Sequence, residues 1–70
     1  MKNLNDIRGF TGLIKNDGNA FKIQVLNESF WLRDCNYIDG EWNGTVDNDL
    51  VLTGEHGLEY NDKVRFQLID

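Results

Sequence analysis

Phe21-Lys22-Ile23-Gln24-Val25-Leu26-Asn27-Glu28-Ser29-Phe30-Trp31-Leu32-Arg33 decides how the rest of the chain is read. Apolar residues fall at 21, 23 and 25 and again at 30 and 32, with polar or amphipathic residues between them. A period of two puts alternate side chains on opposite faces of an extended chain; a helix would instead bring together residues three and four apart. Asn27-Glu28 breaks the alternation and is read as the turn. The stretch is therefore two paired strands with Phe21, Ile23, Val25, Phe30 and Leu32 facing a core. The other face presents Lys22, Trp31 and Arg33, a large aromatic and cations side by side.

Upstream, Phe10, Gly12 and Ile14 alternate with Thr11, Leu13 and Lys15, which predicts a strand over about residues 8–15 with Lys15 outward. Asn16-Asp17-Gly18-Asn19 is a strong hairpin signal, because Asp-Gly supplies the positive φ that tight turns need. Downstream the pattern loosens. Tyr37-Ile38-Asp39-Gly40-Glu41-Trp42 reads either as a small hairpin around Asp39-Gly40 or as an irregular loop anchored by Tyr37, Ile38 and Trp42. Asp47-Asn48-Asp49 is a turn, since the glycine and distal Glu of a calcium loop are missing. Leu50-Val51-Leu52-Thr53 is a short strand ended by Gly54-Glu55-His56-Gly57. After the Asn61-Asp62 turn, Val64, Phe66 and Leu68 point inward and Lys63, Arg65 and Gln67 outward. Phe10, Phe21, Phe30 and Phe66 all take the apolar parity and form the core, while Trp42 and Tyr60 cover one end.

No window repeats apolar residues at helical spacing over three turns. Five strands without a helix predict an all-β fold, a small five-stranded antiparallel barrel, because closure removes the edges that otherwise aggregate. The 70 residues form a single domain over 1–70. A chain of this size buries only about 60% of its unfolded surface, so the core is small. No apolar run reaches membrane-spanning length, and the start, MKNLNDIRGF, has no apolar signal-peptide region. Cys35 is the only cysteine, so no internal disulfide forms. These features predict a cytoplasmic protein with no membrane partner.

The net charge of −5 is unevenly spread. Residues 1–33 hold five Lys or Arg against three Asp or Glu, whereas residues 34–62 hold eight acids and no Lys or Arg. Catalysis is not expected. His56, the single histidine, lacks a nucleophile or second metal ligand at a recognisable spacing. Cys35 has acidic neighbours that raise a thiol pKa, and the glycines mark turns rather than a phosphate loop. No cofactor or metal is implied.

The chain resembles the cold-shock domain, a five-stranded oligonucleotide-binding (OB) barrel. Gly12-Leu13-Ile14-Lys15-Asn16-Asp17 occupies the family's first-strand frame G-x-V-K-W-F, and Phe30-Trp31-Leu32-Arg33-Asp34 fits V-F-V-H-F. Residues 58–68 follow L-x-x-G-x-x-V-x-F-x-I with Asn61 at the glycine. In this frame Trp31 takes the place of a stacking Phe and Arg33 that of a His. Ala20, Lys22, Asn16 and Asp34 stand where the family has further aromatics. The resemblance implies a non-catalytic module that binds single-stranded nucleic acid, RNA more than DNA, as an RNA chaperone or a regulator of transcription or translation. Bases would stack on aromatics while cations follow the phosphates. The expected binding residues are Lys15, Lys22, Trp31, Arg33, Tyr37, Lys63 and Arg65. The competing expectation is a small acidic regulator, phage- or mobile-element-like, in which segment 34–62 imitates nucleic acid and occupies a basic protein surface.

Overall fold

In a computed structural model of the chain, which describes residues 1–47 and 57–68, the alternation at 21–33 forms the centre of an antiparallel meander. Its strands are β2 (Phe10–Asp17), β3 (Ala20–Val25), β4 (Glu28–Ile38) and β5 (Glu41–Val46). They are preceded by the two-residue strand β1 (Lys2–Asn3) and a single 3₁₀ turn, Leu4–Asp6. β6 (Lys63–Phe66) returns antiparallel beside β5, and β1 lies parallel to β6. The described residues thus form one mixed six-stranded sheet in the order β1-β6-β5-β4-β3-β2.

In place of the expected five-stranded antiparallel barrel, the described residues form six strands, one of them parallel, and the sheet edges β1 and β2 do not pair. The sheet nevertheless curls. In a flat sheet β2 and β6 would lie four strand spacings apart, roughly 19 Å, yet the Phe10 and Phe66 rings meet edge-on with centroids 6.3 Å apart. Beyond the β1–β6 ladder, the Asn5 amide nitrogen donates to the Gln67 carbonyl at 3.0 Å and its oxygen accepts from the Gln67 N–H at 2.7 Å, so side-chain bonds prolong that pairing. The strand expected at 50–53 lies outside the described residues.

Local geometry explains the other departures. Val25 pairs with Glu28, so the turn is Leu26-Asn27, one residue earlier than Asn27-Glu28. Leu26 adopts φ +57 and its N–H donates to the Gly9 carbonyl at 2.9 Å. The Tyr37–Trp42 stretch is the hairpin of the two alternatives. Asp39 and Gly40 both have positive φ, +53 and +85, as a two-residue type I′ turn demands. β4 runs on to Ile38 because a bulge at Asp34, φ +54, absorbs an extra residue between Arg33 and Asn36. Two further irregularities in β2 shift its parity, so Leu13 rather than Ile14 faces Ile23, and Ile14 is exposed.

The core is Leu4, Phe21, Ile23, Val25, Phe30, Leu32, Cys35, Val46, Leu58, Val64 and Phe66, with Phe10, Trp42 and Leu68 packed against it. Burying each large apolar side chain contributes about 1.5–3 kcal/mol. The strand parities of the four phenylalanines hold. Leu4, wholly buried, comes from a segment to which no element was assigned.

Candidate functional site

The register of the β2–β3–β4 meander sets the outer face. Lys15 stands opposite Lys22, and Lys22 opposite Trp31. Trp31 is half-buried, and the Lys22 ammonium lies 5.9 Å from its ring centroid. A cation at this distance is attracted to the negative π face and fixes the lysine over the ring. Farther along the same face, Arg33 stands opposite Thr45 and Thr45 opposite Lys63, while Arg65 stands opposite Asn43. Six of the seven expected residues therefore share one face of the sheet.

Tyr37 is the exception. The Asp34 bulge flips parity, so Cys35 points into the core and Tyr37 follows it onto the inner side. There it pairs with Trp42, whose other neighbours are Phe21 and Phe66. Asn16, aligned by the cold-shock frame with a surface tryptophan, stands opposite the buried Phe21.

The cations of this face differ in their freedom. Arg33 is a node: its Nη1 donates to the Val46 carbonyl and to Asp47 Oδ1, both at 3.3 Å, and its Nη2 to Asn61 Oδ1. Its guanidinium also lies 5.5 Å from the Tyr60 ring centroid, and its Nε 3.8 Å from Asp34. Arg65 Nη1 is 3.3 Å from Glu41 Oε2. Lys63 donates to the Thr45 hydroxyl at 3.0 Å. Among the described residues, no carboxylate pairs with Lys15 or Lys22. Sequence spacing gives no sign of the arginine node, since its partners Asp47, Tyr60 and Asn61 lie 14 or more residues away, at the end of β5 and in the turn before β6.

Two titratable groups are displaced. Burial pushes the Cys35 thiol up to about 11, opposed by a backbone hydrogen bond at Phe21 and reinforced by the Asp34 charge. The Lys2 ammonium, bonded at 2.8 Å, holds Asp62 below the usual carboxylate range, and the Glu59 N–H adds to this. Neither group belongs to the outer face. Among the described residues no three His, Cys, Asp or Glu side chains converge as a metal site requires, and no helix is long and apolar enough to cross a membrane. His56 lies outside the described residues.

A cavity of about 240 Å³ opens on the other side, lined by Tyr37, Gly40, Glu41, Trp42, Gln67 and Leu68. Compared with protein-family models, characterised proteins and solved structures, the chain matches none.

Proposed function

We propose that the chain is a non-catalytic module that binds single-stranded nucleic acid on the outer face of a curled, cold-shock-like OB sheet. RNA is its preferred ligand, as the resemblance implies, and its role is that of an RNA chaperone or a regulator of transcription or translation. One observation carries the reading: Lys15, Lys22 and Trp31 line up across three neighbouring strands, with the Lys22 ammonium against the Trp31 ring. A base stacked on the indole would be worth about 1–3 kcal/mol by alanine substitution, and the two ammonium groups stand where flanking phosphates would pass.

The acidic-mimic alternative fares less well against the ion pairs. Asp34 and Asp47 lie on Arg33, Glu41 on Arg65 and Asp62 on Lys2. Half of the eight acids in 34–62 thus serve the chain's own cations.

The test is tryptophan fluorescence in the Trp42→Phe background, where Trp31 is the sole tryptophan, with a pyrimidine-rich oligonucleotide at low salt. Saturable quenching at micromolar concentration is expected, weakened by salt and by Lys22→Glu. Absence of quenching sinks the proposal. A protein partner retained from lysate after nuclease treatment, with no oligonucleotide affinity, would favour the acidic regulator instead.

A further inference from the structure

The cavity on the inner side has a chemistry of its own. Tyr37 and Trp42 form a corner, with ring centroids 5.4 Å apart and planes at 71°. The corner is built on the core, because Trp42 packs against Phe21 at 4.8 Å and stands opposite Phe66 in the ladder. Tyr37, by contrast, is 61% exposed, an unusual position for a large ring on the core-facing side of a strand. Glu41 also lines the cavity, and Arg65 holds its carboxylate in place through Oε2. Gln67 also lines the cavity.

Charge decides what such a corner accepts. Aromatic faces carry negative quadrupole density, which favours a cation over a phosphate-bearing ligand, and Glu41, whose Oε2 is held by Arg65, offers its other oxygen as an acceptor beside the rings. Of the common cations, guanidinium is planar, weakly hydrated and able to stack on rings while donating in the plane. We propose that the Tyr37–Trp42 corner binds an arginine side chain from a basic peptide segment of a partner protein. The guanidinium stacks in the corner and donates to Glu41. Tyr37 and Trp42 lie on the opposite side of the sheet from Lys22 and Trp31, and the two sites meet at the Glu41–Arg65 pair.

The test uses the full chain carrying Trp31→Phe, so that Trp42 is the only tryptophan. Its emission is followed on titration with acetyl-Gly-Arg-Gly-amide, with the matching citrulline peptide, which keeps the shape and loses the charge, and with cytidine. The expected result is a saturable response to the arginine peptide, at least fivefold weaker with citrulline and weaker still with cytidine. Tyr37→Ala should weaken the arginine response at least fivefold. That substitution removes an exposed ring and leaves the charge unchanged, so it separates the corner from general attraction to an acidic protein; an unaltered thermal melt verifies folding. Glu41→Gln should likewise weaken binding. The proposal is overturned by an unsaturable response, by a citrulline or Tyr37→Ala effect smaller than fivefold, or by a stronger response to cytidine.

Discussion

Arg33 carries two identities that only its neighbours can separate. Strand parity puts it beside Trp31, where a phosphate contact would stand, but its Nη1 and Nη2 reach Val46, Asp47 and Asn61 while its plane covers Tyr60. Those partners belong to the end of β5 and the turn before β6. The guanidinium therefore ties the end of β5 and the turn before β6 to the centre of the meander. A lysine keeps the charge but has one nitrogen and no plane, so it cannot reach these groups together. Arg33→Lys should lower unfolding stability by about 1.5–3 kcal/mol, the range for hydrogen bonds to charged groups, read as a lowered urea midpoint. A variant as stable as the parent would return Arg33 to the role of a free surface cation. Leu26 shows the same dependence on context. Nothing in its side chain favours φ +57, a backbone well that costs an ordinary L-residue roughly 1–2 kcal/mol, but the turn between β3 and β4 and the bond to Gly9 impose it.

Between elements, β4 and β5 approach closely at the bulge. A Cβ placed on Gly44 would lie 2.9 Å from Cys35 Sγ, with Leu32 Cβ at 3.4 Å behind it. Gly44→Ala should cost about 1–3 kcal/mol by overpacking, and in a double-mutant cycle Cys35→Ala should recover much of that loss, since it removes the sulfur that clashes. Additive effects would show that the strain lies elsewhere. The strap at the sheet edge makes a different prediction. Lys2 bonds both the Gly57 carbonyl and Asp62, joining β1 to the turn before β6. Asp62 is held below its ordinary value in the folded chain, so its contribution is present above the unfolded pKa of about 3.9 and is lost as pH falls through the folded value. Asp62→Asn should flatten the loss of stability below about pH 4 in acid melts. These contacts also show what was legible. The hairpin at 21–33 was readable because burial on one face writes a period of two into adjacent residues. The parity shifts at Asp34 and in β2 left no such trace, because a bulge depends on backbone pairing rather than on side-chain type. β1 was illegible for another reason: two residues paired with a strand some 60 positions away carry too little pattern to detect.

For the molecule as a whole, net charge misleads because the sheet sorts charge by partner. The outer face holds five cations, of which Arg33 and Arg65 already face carboxylates at 3.3 Å. Lys63 is bonded to a neutral hydroxyl, and Lys15 and Lys22 meet no carboxylate among the described residues. Among the described residues, three cations remain to replace counterions on a single strand. With about 0.7 counterion released per phosphate neutralised, log K should fall against log salt with a slope near −2, not the −3.5 that all five would produce. The seventh expected residue, Tyr37, could not be assigned by parity alone, since the bulge that turns it inward lies three residues upstream. The slope thus counts the free cations directly. Lys15→Gln and Lys22→Gln should each reduce its magnitude by about 0.7, whereas Glu41→Gln, by releasing Arg65, should increase it by a similar amount. A slope unmoved by the two lysine substitutions would place the strand on some other surface, however well Trp31 quenched.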